Sequence, residues 1–206
     1  MRDKLAAMLT MQDEMNTKVH SEWKEQGFEW YRAIWTECAE LMDHYGWKWW
    51  KKQDPDFEQV KLELIDIWHF GMSILLLSGK PVDELTLGME ADLDASKAEG
   101  CFREAVETFA CDTLSSKSFN VARFAAVMKS AEMNFDDLYL GYVGKNVLNF
   151  FRQDHGYKEG SYIKQWNGRE DNEHLVDIIR TLNPNCDDFK DQLYAGLKTK
   201  YTELNA

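Results

Sequence analysis

Two short acidic motifs, Glu37-x-x-Glu40 and Glu63-x-x-Asp66, carry residue types and spacing that could do chemistry. On a helix, an i,i+3 pair stacks its carboxylates on one face, one turn apart. Two such helices lying side by side aim four carboxylates at a common point. Four oxygen donors without His or Cys suit a hard divalent cation, Mg2+ first and Mn2+ second. The second motif sits in a run that is apolar nearly all round, from Leu62 through Ile65, Trp68 and Met72 to Leu77, the pattern of a buried helix. Glu63 and Asp66 share a face with Ile67, Phe70 and Ile74, so they do not simply face water. Unpaired carboxylates in such a place are costly and call for a cation. The plain alternative is structural salt bridging to Lys48, Lys51 or Lys61.

A second set of residues offers the opposite charge. Between residues 139 and 169 stand Lys145, Arg152, Lys158, Lys164 and Arg169 against only Asp154 and Glu159, in a chain of net charge −12. That local reversal predicts an anion site. A helix over residues 135–153 would place Tyr142, Lys145, Asn146, Asn149, Arg152 and Gln153 on one face, amides and cations without an acid. The Gly-punctuated stretch HGYKEGSYIKQWNGREDN (155–172) that follows reads as a binding loop. Nearer the acids, Trp47-Lys48-Trp49-Trp50-Lys51-Lys52 could supply stacking surface and phosphate-neutralising charge, with at least one tryptophan plugging the core. Gln12 and Asn16 fall on the apolar stripe of a first helix over residues 2–20 and need partners there, another helix or a ligand edge.

The elements that must position these groups are all helical. Three prolines and twelve glycines leave few breakers, and β-branched alternation is scarce, so the expected fold class is an all-α multi-helix bundle around a four-helix metal-binding core. A helix over residues 28–45 carries the first acidic motif and ends at Gly46; Asp54 as N-cap with Pro55 at N1 restarts the chain into the second. Residues 1–206 are read as one domain: a catalytic core of 1–80 and 133–172, a helical insert or support over 82–130, and C-terminal helices over 173–206. The acidic balance argues against a nucleic-acid or membrane-surface partner. No apolar run reaches membrane-spanning length, the N-terminal stretch lacks the apolar core of a signal peptide, and four cysteines lack paired spacing, together predicting a cytoplasmic protein.

Taken together, ECAEL (37–41), WKWWK (47–51), ELIDIWHF (63–70), GKNVLNFFRQDHGYK (144–158) and YIKQWNGREDN (162–172) resemble the dimeric dUTPase family, within the all-α NTP pyrophosphatase (MazG-like) superfamily. The paired acidic motifs mark the superfamily, and the KN..LN..RQ..GYK segment points to the dimeric dUTPases. The resemblance implies a homodimer that hydrolyses dUTP, with dUDP a second substrate, to dUMP. It implies that Glu37, Glu40, Glu63 and Asp66 hold Mg2+, that the carboxylate of Glu37 activates the attacking water, and that Asp66 also meets the deoxyribose 3′-hydroxyl. Gln12, Asn16, Trp49, His69 and Phe70 would frame base and sugar. Asn146, Asn149 and the cations Lys145, Arg152, Lys158 and Lys164, with Lys48 in the tryptophan turn, would contact nucleotide. Charge and spacing by themselves reach metal plus anion, not uracil. A dCTP-directed pyrophosphatase and a non-catalytic nucleotide-binding or helical interaction protein are the competing readings. None of the stretches that carry the resemblance lies within residues 82–130.

Overall fold

The computed structural model describes residues 1–98, 100–184, 186 and 188–204. Nine α-helices carry the described chain: α1 Arg2–Val19, α2 Trp30–Tyr45, α3 Phe57–Leu77, α4 Val82–Ala95, α5 Phe102–Ser116, α6 Val121–Ser130, α7 Phe135–Asp154, α8 Asp171–Ile179 and α9 Phe189–Leu204. The expected all-α class is what the chain adopts; the sheet content is one two-residue hairpin, β1 Gln165–Trp166 and β2 Arg169–Glu170. Asn167 and Gly168 at its tip both have positive φ, 51° and 81°, as a type I′ turn requires. No described helix is long and apolar enough to cross a membrane.

Local chemistry sets the helix starts. Asn134 accepts from the Asp136 and Asp137 amides while Asp137 reaches back to the Asn134 N–H, a reciprocal cap that fixes where α7 begins. The start of α3 corrects the sequence expectation. Asp56, not Asp54, is the N-cap, its carboxylate accepting from the Gln59 N–H at 3.2 Å, so Pro55 lies before the helix. Proline's fixed φ serves a loop residue as well as N1, and the flanking aspartates leave the choice open.

The buried apolar side chains form one connected cluster, with α2 and α3 as its most intimately packed pair. α3 is the axle. Trp68, fully buried, lies 5.0 Å from Phe124 and 5.8 Å from Phe119 between ring centroids, so α6 and the turn that precedes it support its back. The segment over 82–130, expected from sequence as an insert or support, thus packs against the acid-bearing helix. On another side α3 meets α7, where Gly141 leaves room for Ile65 and Gly144 for Ile179 of α8; a methyl at either position would collide. Those two close approaches let a side chain of α7 reach α3 and α8 together.

The connector between α2 and α3 does not behave as expected. Trp47, Trp49 and Trp50 are all exposed, Trp49 at 91%, and none plugs the core. Gly46 takes φ +88°, the Gln53 side chain binds the Trp47 and Lys48 amides, and Arg103 of α5 donates twice to the Gly46 carbonyl. The turn is therefore tied down at its base, and its indoles contact one another edge to face at its tip.

Candidate active site

Glu37 of α2 and Glu63 and Asp66 of α3 each present a carboxylate oxygen, all within 4.8 Å of one another. Glu63 is buried, Glu37 and Asp66 are half-buried, and Glu40, one turn along α2, is exposed on the rim of the same cleft. The two i,i+3 pairs thus lie along the seam of the tightest helix pair in the fold. Burial, then the negative charge of Asp66, pushes the Glu37 carboxyl well above the carboxylate range, and the same two causes raise Glu63. Three acids this close in a poorly solvated seam resist ionising together without added positive charge. The donor set and spacing fit a hard divalent cation such as Mg2+.

The lysines of the salt-bridge alternative are not what answers this charge. Lys48 pairs with Asp43 at 2.8 Å, out on the connector. Lys145 of α7 instead donates to Asp66 Oδ2 at 2.7 Å, and His44 approaches Glu63 at 3.5 Å. The cleft, about 520 Å³, is lined by Glu37, Glu40, Glu63 and Asp66 from α2 and α3, by the cations Lys145, Arg152 and Lys164, and by Glu173 and Glu170, the latter paired with Lys164 at 3.1 Å. The expected metal-type and anion-type residues therefore share one cavity.

The cations of α7 are braced by the hairpin and α8. Trp166 is fully buried, donates to the Ile163 carbonyl and stacks on His174, which fixes β1 and β2 against α8. This delivers Asp171, fully buried, to the Arg152 guanidinium in a two-pronged ion pair of 2.8 and 2.7 Å, with the Tyr162 hydroxyl donating to the same carboxylate. Burial alone would raise the Asp171 carboxyl, but the hydrogen bonds and charge of Arg152 hold it below its ordinary value. Asn172 follows, accepting from both Lys145 and Arg152.

A second polar cluster continues along α3. Gln12 and Asn16 of α1 are buried, and their amides donate to Ser73 Oγ at 3.3 and 2.9 Å; Gln12 also donates to Asn16 Oδ1. His69 Nδ1 meets Gln12 Oε1 at 2.7 Å, and the Tyr142 hydroxyl donates to the same oxygen. Burial lowers the His69 pKa to about 3, so the ring is neutral. With Nδ1 as donor to Gln12, Nε2 is a buried acceptor without a hydrogen-bond partner among the described residues. Asn146 joins from α7 through the Met11 carbonyl and Tyr142.

The other expected site residues lie apart from the acidic cleft. Asn149 accepts from Arg152 Nη1, Phe70 packs against Trp30, Lys158 donates to the Val19 carbonyl, and Lys48 and Trp49 sit on the connector. Conversely, His44, Gln59, Tyr157, Glu170, Asn172 and Glu173 line the cleft and were not singled out by sequence. His44 stands i+4 from Glu40 and Gln59 i−4 from Glu63, helical-face signals available in the sequence; Tyr157, Glu170, Asn172 and Glu173 meet the cleft through tertiary structure.

A family model described as dUTPase matches residues 4–157. A comparison with curated proteins finds no match. The family match covers well over half of the chain, from α1 to just past α7, and includes both acidic motifs and the cations of α7. The chain therefore belongs to the dUTPase family, in its all-α form, and is a dUTP diphosphatase.

Proposed function

We propose that dUTP hydrolysis here depends on Mg2+ held by Glu37, Glu40, Glu63 and Asp66, and that dUDP is a second substrate. The observation that carries this reading is the single cleft in which three converging carboxylates face Lys145, Arg152 and Lys164. A divalent ion bound there supplies neutralisation of phosphate charge and makes water more acidic. Glu37, on the seam beside Glu63 and Asp66, is placed to take the proton of the attacking water as the bond between α- and β-phosphate breaks. Pyrophosphate leaves and dUMP remains. Lys145, Arg152 and Lys164 offset charge on the phosphate oxygens from the opposite wall, Asp66 meets the 3′-hydroxyl, and Lys158 and Asn149 act from the periphery.

The buried amide cluster supports the base assignment. Gln12 and Asn16 are held by Ser73, His69 and Tyr142, so their polar edges are set before substrate arrives, and neutral His69 keeps an acceptor in reserve. A site that reads a base by hydrogen bonds discriminates strongly against an analogue with the opposite pattern. Asn146, Phe70, Trp49 and Lys48 complete the surroundings of base and sugar in this reading. Homodimerisation, implied by the family likeness, and a cytoplasmic location, suggested by the unpaired cysteine spacing, belong to the same proposal.

The test is pyrophosphate release from dUTP, dCTP, dTTP and UTP, with Mg2+ and with EDTA, together with orthophosphate release from dUDP. Mg2+-dependent turnover of the deoxyuridine nucleotides alone is expected. Release chiefly from dCTP would keep the metal site and overturn the base assignment, and full activity in EDTA would overturn the metal site.

A further inference from the structure

Lys145 and Arg152 lie two turns apart on α7, and both end at one neutral atom. Asn172 Oδ1 accepts from Lys145 Nζ at 3.0 Å and from Arg152 Nη2 at 3.3 Å. The residue is half-buried near the start of α8 and lines the cleft. We propose that Asn172 is a positioning residue for dUTP hydrolysis: its carboxamide oxygen holds the two cations at a fixed separation opposite the acidic seam.

The donor inventory shows what this arrangement leaves over. The Lys145 ammonium has three N–H donors, and the protein takes two, through Asp66 and Asn172. The Arg152 guanidinium has five, and Asp171, Asn172 and Asn149 take four. Each cation keeps one N–H for a ligand, and both are buried, so neither reorients freely. Asp66 and Asp171 anchor the two cations separately, and Asn172 is the contact they share. A carboxylate in that place would also gather them, but would add a further negative charge beside Asp66 and Asp171, which already pair with them. A carboxamide orients without neutralising, which is a reason for asparagine here rather than aspartate.

The inference rests on the reading of Lys145 and Arg152 as phosphate contacts, and two substitutions separate its parts. Asn172→Ala keeps the positive charge and loses the alignment. Its kcat for dUTP is expected to fall about 10- to 100-fold, the scale of a misplaced contact. Its affinity for inorganic tripolyphosphate, measured by calorimetry in EDTA, should change less than about threefold, because uniform charge attraction survives. Asn172→Asp keeps the alignment and loses charge. Its kcat should stay within about threefold of the parent while KM rises and tripolyphosphate affinity falls about tenfold. Helical circular dichroism should be unchanged in both. An Asn172→Ala enzyme with kcat within about twofold of the parent would overturn the role of Asn172 while leaving the site reading intact. Equal loss of kcat and helical signal in both variants would also overturn it, in favour of a purely structural role. A folded parent that neither binds tripolyphosphate nor turns over dUTP would overturn the site reading, and this inference with it.

Discussion

One stripe of α3 carries two kinds of buried polar chemistry. Glu63 and Asp66 occupy its first half; His69 and Ser73, the next positions at helical spacing, occupy its second. The second half closes on itself except at His69 Nε2. Ser73 accepts from two amides and donates to the His69 carbonyl, and Gln12 Oε1 takes both His69 and Tyr142. The first half does not close. Three carboxylates meet one ammonium and one imidazole, and Glu37 and Glu63 are both made harder to ionise. A satisfied network gives shape, whereas an unbalanced one gives appetite for a cation. Arg152 and Asp171 show the balanced charged alternative a short distance away, with the bidentate geometry that makes a buried pair tolerable.

That contrast can be broken most severely at its balanced end. Asp171→Ala leaves a buried guanidinium without its partner and should lower unfolding free energy by about 3–5 kcal/mol in urea titrations. A loss below about 1 kcal/mol would show that the pair is not a structural anchor. At the unbalanced end, Glu63→Ala should leave circular dichroism intact while reducing turnover about 100- to 1000-fold, as expected when a cation's stabilisation of transition-state charge is lost. Unchanged turnover would remove Glu63 from the metal site. In the closed network, Ser73→Ala strips the acceptor shared by Gln12 and Asn16. It should cost about 1–3 kcal/mol of stability and blur selection of dUTP over dCTP in competition assays. Stability unchanged and selection intact would mean the amides find other partners.

The smallest effect has the most telling sign. The Glu37 carboxyl is raised in the folded chain, so folding favours its protonated form. Its contribution is fully present below the ordinary value of 4.5 and is lost as pH rises through the raised folded value. In EDTA the melting temperature should therefore fall as pH climbs above 4.5. Glu37→Gln should flatten that fall and melt a few degrees higher at about pH 8. Mg2+ should narrow the gap. A variant that melts lower than the parent under those conditions would show that the seam is not electrostatically strained.

Much of this was legible because residue type and period speak locally. An acid in the middle of the Leu62–Leu77 run is conspicuous wherever the chain folds, and the helical face from Tyr142 to Arg152 gathers its cations by spacing alone. What could not be read is what distance in sequence hides. Asn172 reaches Lys145 across 27 positions and Arg152 across 20, through a hairpin whose Asn167-Gly168 turn was signalled but read only as part of a loop. At least one indole of the connector was expected in the core, because tryptophan usually buries surface; none is there. Arg103, from a helix 57 positions on, ties the Gly46 end of that connector to α5. The cap at Asp56 was lost to an equally good neighbour, since Asp-Pro-Asp offers two starts and only geometry decides between them.

The order of the walls along the chain has a consequence for synthesis. Asp66 and Lys145 are 79 positions apart, and at about 5–20 residues per second a ribosome needs about 4–16 s to pass from one to the other. For that interval the acidic helix pair emerges without the lysine and arginine that later face it. A nascent chain that folds from its beginning must carry this charge alone, or borrow small cations from the surrounding water until its own arrive.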